Sequence, residues 1–316
     1  MINNIEEKIE KNVNLAELTT FKIGGPAKFF IEVTTKEELI SAINWAQSQK
    51  EKLFFFSGGS NILINDQGVD GLVIRLGNTK LKINNENIIA GSGLELAELV
   101  EEAKNNKLSG LEWAVGIPGR VGGSVRGNAG AYGGCLADNI KQVEAYDLEN
   151  KTFIILDKSD CNFSYRSSIF KEQNNLIIWQ AEFSLSRGVL DKIKAMMAQY
   201  QQSRLSTQTE YPSAGCIFKN LQVDELAKIN DRIYQQALAE NKVKGGKLAC
   251  GYILDLLGLK GRSVGGAVVG HQHDNFIVNQ KQSKDEDVKK LINQIKQEVK
   301  EKFNIDLQEE VQYFGF

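Results

Sequence analysis

Few side chains in this sequence are placed to do chemistry. Cys216 stands in YPSAGCIFKN, directly after a glycine and three residues before Lys219. A cysteine is ordinarily a small buried hydrophobe, but a segment of Pro, Ser, Gly, Lys and Asn makes a poor core and a good polar site. Arg166 lies between Tyr165 and Ser167 in NFSYRSSIF, where the plain alternative is a surface arginine at a strand end. Glu310 in LQEEVQYF reads equally well as a solvated charge. The two histidines, His271 and His273, share GHQHDNF. Their spacing suits a metal, yet nothing nearby supplies the remaining ligands, so a strand-edge or substrate contact is expected. With no other histidine and no G-x-S-x-G elbow, a Ser-His-Asp hydrolase is a poor fit. Cys135, Cys161, Cys216 and Cys250 show no CxxC spacing, which indicates neither a zinc site nor a disulfide framework.

The backbone carries a stronger signal. No G-x-G-x-x-G opens a helix after a strand, and Gly246-Lys247 is followed by Leu248 outside any Walker A frame. Two other glycine segments remain. SGGSN (57–61) sits between two strand-like runs, where successive N–H groups make either an anion cradle or an ordinary β-turn. The stretch 116–134, GIPGRVGGSVRGNAGAYGG, is denser in glycine than a turn requires and suggests backbone lying against a large flat or phosphorylated ligand. A flexible loop would carry more Ser, Lys or Glu. All three prolines (Pro26, Pro118, Pro212) fall inside glycine-bearing motifs, where a fixed φ beside a permissive residue shapes a loop.

Around these motifs the pattern is mixed. Thr35–Lys50 predicts a helix, with Thr35 and Glu38 at capping-box spacing. Short strands follow at 53–56, 62–64, 73–76, 81–83 and 87–93, then a helix marked by Leu96, Leu99, Val100 and Ala103. Strands are expected over VEAYDL, KTFIIL and NLIIWQAEFSL, and a helix after Gly188 with Leu190, Ile193, Met197 and Tyr200 on one stripe. Further helices are expected at Asp224–Glu240 and Ser283–Phe303, the latter capped by Ser283 and Glu286, with strands at NFIVN and VQYF. The class is α+β, with a boundary near Gly188.

Composition excludes several roles. The 316 residues carry 38 Lys and Arg against 40 Asp and Glu, a net charge of −2, with no electrostatic footprint for nucleic acid. Mean hydropathy is −0.29, no run approaches the roughly 18 apolar residues of a spanning helix, and MINNIEEKIEK lacks a signal-peptide core. A cytoplasmic protein without membrane insertion is expected.

Taken together the motifs resemble one family, the UDP-N-acetylenolpyruvoylglucosamine reductases. The matching segments are TTFKIGGPAKFF, SGGSNILI, GIPGRVGGSVRGNAGAYGG, FSYRSSIF, YPSAGCIFKN, GLKG, HDNFIVN and LQEEV, in order from Thr19 to Val311. The gap from Arg166 to Cys216 resembles the shorter, type II form. The resemblance implies a two-subdomain FAD-binding fold of the PCMH/VAO type over 1–188, split near 75–90, and a C-terminal α/β substrate domain over 189–316. It implies noncovalent FAD, since the chain before His271 lacks a histidine to attach it. FAD would contact Ser57, Gly58, Gly59, Ser60, Asn61, Ile117, Pro118, Gly119, Gly122, Gly123, Asn128, Ala129 and Gly130. NADPH would supply hydride and UDP-GlcNAc-enolpyruvate would receive it, giving UDP-N-acetylmuramate for peptidoglycan. Arg166 and Glu310 match the groups that stabilise charge on the substrate carboxylate, Cys216 matches the proton donor, and Tyr165, Lys219 and Asn220 match substrate contacts. Many relatives have serine at position 216; a thiol, with a free pKa of about 8.5, is the better acid. The rival readings are a related flavin oxidase and a catalytically silent nucleotide-binding module.

Overall fold

A computed structural model describes residues 5–205 and 209–316. The described chain forms two compact units, each assembled from separated segments. One comprises 5–13, 27–58 and 70–205; the other comprises 14–26, 59–69 and 209–316.

The first unit is built on two main sheets, beside two small two-stranded ones at 130–135 and at 108–109 with 186–187. A four-stranded sheet orders Glu10–Asn14, Pro26–Val33, Val69–Leu76 and Leu53–Phe56, the last two parallel. The helix Lys36–Gln49 buries Leu39, Ala42, Ile43 and Ala46, in one core with Ile31, Leu72 and Ile74. Its start is the predicted capping box: Glu38 N–H donates to Thr35 Oγ1 at 3.2 Å and Thr35 N–H to Glu38 Oε2 at 3.3 Å. The second sheet is five-stranded and antiparallel, in the order Thr152–Asp157, Ile140–Asp147, Leu176–Ser184, Asn87–Gly91, Leu81–Asn84. Its core takes in Ile88, Val143, Ala181 and Phe183, with Leu96, Leu99 and Val100 of the helix Leu96–Asn105 and Ile193 and Met197 of the helix Leu190–Leu205. By its contacts the latter helix lies in this first unit.

In the glycine-rich stretch, where no helix was expected, Val121–Arg126 is helical. Glycine has low helix propensity, so tertiary bonds must hold this turn and a half, and they do, as the site shows.

The second unit is built on an antiparallel sheet ordered Ser213–Cys216, Phe276–Asn279, Ala267–Val269, Ser263–Val264. The long helix Asp285–Phe303 packs Val288, Leu291, Ile292, Ile295 and Val299 into its core with Ala267, Val269 and Ile277. The strand Gln312–Phe314 pairs in parallel with Ile62–Ile64. Two expectations are corrected here. The helix expected over 224–240 is two, Val223–Ile229 and Asp231–Ala239, because Asn230 leaves the helical region at φ −150°. Its Oδ1 accepts Ile233 N–H at 3.1 Å while its Nδ2 donates to Phe303 O at 2.9 Å. The cap of the long helix is Asp287 accepting Lys284 N–H at 3.0 Å, not a Ser283–Glu286 box; Ser283 N–H is taken by Asn279 Oδ1 at 2.8 Å.

Candidate active site

Ser57 follows the strand Leu53–Phe56, and its Oγ accepts the Gly123 N–H at 3.1 Å. Gly123 is the third residue of the Val121–Arg126 helix. The two N–H groups before it are also taken, Val121 by Leu94 O at 2.8 Å and Gly122 by Ser92 O at 2.9 Å. A helix start normally offers such groups to a ligand; here they hold the helix in place. The loop beside it differs. Among the described residues no protein acceptor takes the backbone N–H of Gly58, Gly59, Ser60 or Asn61. A Cβ at Gly58 would sit 2.6 Å from Arg120 N and 2.8 Å from Gly119 Cα, so only glycine lets these two loops touch. Arg120 is tied by Glu32 at 3.0 Å and Glu95 at 3.1 Å. Pro118 is exposed, while Ile117 and Ala129 rest on the edge of the first unit's core.

Arg166 occupies the tip of a tight turn. Ser164 and Ser167 exchange backbone hydrogen bonds of 3.1 and 3.2 Å, leaving Tyr165 and Arg166 between them. Arg166 has φ +58°, a left-handed conformation costing a non-glycine residue about 1 kcal/mol. Its Nη1 donates to Gly130 O at 3.0 Å, and its guanidinium lies 5.7 Å from the centre of the Tyr165 ring. Buried Asn128 supports the turn from below: its Nδ2 donates to Ser164 O and its Oδ1 accepts Ala137 N–H, both at 3.0 Å. The structure thus gathers Asn128, Gly130, Tyr165 and Arg166, three of them sharing hydrogen bonds around one turn.

In the second unit, half-buried Cys216 ends the strand Ser213–Cys216. The neighbouring residues run straight into the other predicted positions. Ile217 O accepts Glu310 N–H at 2.7 Å, and Lys219 N–H donates to Gln308 O at 2.8 Å. Glu310 O in turn accepts from Asn61 Nδ2 at 3.1 Å and Gln312 Nε2 at 3.0 Å. Asn220 Oδ1 accepts Cys250 N–H at 3.1 Å, at the start of the short helix Cys250–Asp255. Burial pushes the Cys250 thiol upward, with the nearby Cys216 adding to it, so Cys250 stays a neutral core residue. Burial also pushes His273 below the usual imidazole value. Its Nδ1 accepts Asn275 N–H at 3.2 Å and its ring packs 4.6 Å from Phe276.

Comparison with known proteins decides the family. Residues 207–314 match the C-terminal domain of UDP-N-acetylenolpyruvoylglucosamine reductase, and residues 27–155 match an FAD binding domain. The UDP-N-acetylenolpyruvoylglucosamine reductase of Caldanaerobacter subterraneus is 35% identical over 98% of this chain and 95% of its own length. That of Fervidobacterium nodosum is 36% identical over 95% and 90%. The crystal structure of the Thermus caldophilus enzyme, MurB, superposes with a TM-score of 0.77 at 31% identity, covering 97% of this chain and 98% of that one. This chain belongs to the UDP-N-acetylenolpyruvoylglucosamine reductase family. It is therefore an α+β, FAD-dependent oxidoreductase of peptidoglycan precursor synthesis.

The residues present fit the cofactor of a UDP-N-acetylenolpyruvoylglucosamine reductase. Among the described residues no protein acceptor takes the amides at 58–61, a donor set of the kind a phosphate-binding nest offers, and a Cβ at Gly58 or Gly122 would press within 3 Å of its neighbours. Among the described residues no cluster of His, Cys, Asp and Glu could hold a metal, and no helix is long and apolar enough to cross a membrane. Asn128, a cofactor contact by the family resemblance, uses its side-chain amide on Ser164 O and Ala137 N–H. Asn275, inside the matching HDNFIVN segment, was not singled out at all, since nothing in its local spacing marks it.

Proposed function

We propose that this enzyme reduces UDP-GlcNAc-enolpyruvate to UDP-N-acetylmuramate with NADPH as hydride source, residues 1–188 serving FAD and 189–316 the substrate. The 57–61 loop and the 116–130 stretch would hold FAD noncovalently, and the flavin would supply the hydride-transfer chemistry between NADPH and the substrate's methylene carbon. The observation that carries this reading is the full-length family match, with Arg166, Cys216 and Glu310 all at motif positions.

The protein's share of the chemistry follows from charge. Hydride arriving at the methylene carbon drives negative charge through the adjacent carbon onto the carboxylate. Arg166, rigid at its turn, offers a planar cation where that charge collects. Glu310 acts on the same carboxyl group, helping to polarise it. The adjacent carbon then takes a proton from the Cys216 thiol, and the thiolate recovers one from solvent. Tyr165, Lys219 and Asn220 serve binding of the UDP-sugar.

The test is anaerobic absorbance. Wild-type protein bleaches with NADPH and regains its yellow colour on adding UDP-GlcNAc-enolpyruvate. Cys216→Ala bleaches normally and recovers about 1,000-fold more slowly. Equal loss of both half-reactions would remove Cys216 from the donor role, and a wild-type protein that never recovers would remove the substrate.

A further inference from the structure

We propose that Asn275 is the positioning residue that sets the Cys216 thiol for proton delivery; this rests on reading Cys216 as the donor. The strand Ser213–Cys216 does not run in register with its partner. Ser213 pairs with Val278 and Cys216 with Phe276, so Ala214 and Gly215 stand opposite Ile277 alone. The extra residue is a bulge, and Gly215 within it has φ +76°. A bulge of this kind re-aims the side chain that follows, which here is Cys216. It also weakens the ladder at the point where the donor must be held.

Just past the bulge the partner strand ends, because residues 273–275 turn away. Asn275 takes over the ladder with its side chain. Its Oδ1 accepts the Phe218 N–H at 3.0 Å and its Nδ2 donates to Phe218 O at 2.8 Å, while its main-chain O accepts Ile217 N–H at 2.8 Å. The amide gives Phe218 both bonds that a neighbouring strand would have given. Asn275 is 2% exposed and Phe218 1%, so water does not compete for these bonds. Ile217 O remains for Glu310 N–H at 2.7 Å. One buried amide thereby sets the residues after Cys216 and the carbonyl on which Glu310 hangs.

The experiment separates positioning from general stability. In Asn275→Ala, bleaching by NADPH stays within about twofold of wild type, while recovery with UDP-GlcNAc-enolpyruvate slows about 100-fold, the scale of a roughly 1 Å misplacement. Iodoacetamide provides a readout apart from turnover. The alkylation rate of Cys216 changes several-fold, whereas that of Cys135, also half-buried but in the first unit, stays constant. If both half-reactions fall together, or if the two cysteines shift alike or not at all, Asn275 is only structural and the proposal is wrong. Asn275→Ser, which keeps one polar atom in place, serves the same comparison should the alanine variant not fold. Cys216→Ala run alongside distinguishes the two claims: rapid recovery there defeats the donor reading itself, while slow recovery there beside normal recovery in Asn275→Ala defeats the positioning role alone.

Discussion

The Arg166 turn and the Cys216 strand meet the same requirement in opposite ways. Each presents one of the side chains proposed for the chemistry from irregular backbone, and each is propped by a buried asparagine bonding a nearby main chain, Asn128 to Ser164 O and Asn275 to Phe218. The difference is where the strain sits. At Arg166 the left-handed φ belongs to that residue itself; beside Cys216 it belongs to Gly215, which tolerates it without penalty. The cation is therefore held under tension that its surroundings must over-determine. The thiol is aimed by a bend that costs little and needs a clamp only to stop it from slipping.

The largest effect that sharpens this contrast is Arg166→Lys. It keeps the charge and loses the planar fork, so substrate-driven flavin recovery should fall about 100- to 1,000-fold with little change in melting temperature. A variant that recovers normally would show that only charge is required there. Next comes Asn128→Ala, which leaves buried partners of the turn unbonded. It should cost about 2 kcal/mol in denaturant unfolding, and an unchanged midpoint would mean that Arg166 is held without it. Gly215→Ala is smaller. No atom lies within 4 Å of the added Cβ, so only backbone strain of about 1 kcal/mol is expected. A larger loss would mean that the bulge itself is rearranged.

A pH-dependent effect lies away from both regions. Burial works against the Glu38 charge, but the Lys8 ion pair and the Thr34 hydrogen bonds outweigh it, holding the carboxyl at about 2 against an ordinary 4.5. A depressed folded pKa stabilises above the unfolded value and is lost as pH falls, so this contribution fades between 4.5 and about 2. Melting curves of Glu38→Gln should show a shallower acid decline there than wild type, while neither reactive region changes its behaviour.

How much of this was legible in the sequence depended on how local each cause is. The Thr35–Glu38 cap lies within four residues and was readable. The helix at 121–126 was not, because its stability comes from Ser57, Ser92 and Leu94 rather than from its own glycine-laden residues. Asn230 looked like one more polar residue on a helix face until Phe303 O gave its side chain a partner. The glycine motifs, Arg166, Cys216 and Glu310 were legible through their family pattern. The bulge before Cys216 and the amide that repairs it were not, since both depend on register with a strand some sixty residues further on.

The parallel pairing of Ile62–Ile64 with Gln312–Phe314 carries a consequence for biogenesis. At the ordinary pace of synthesis a ribosome needs about 10 to 50 s to travel between the two strands. Throughout that interval the earlier strand, whose Leu63 and Ile64 end fully buried, has no partner. Closing so long a loop is slow compared with the local hairpins of the first unit. The newborn chain thus spends its longest vulnerable period with an apolar strand exposed beside the SGGSN loop, where a chaperone or an early-bound nucleotide would matter most.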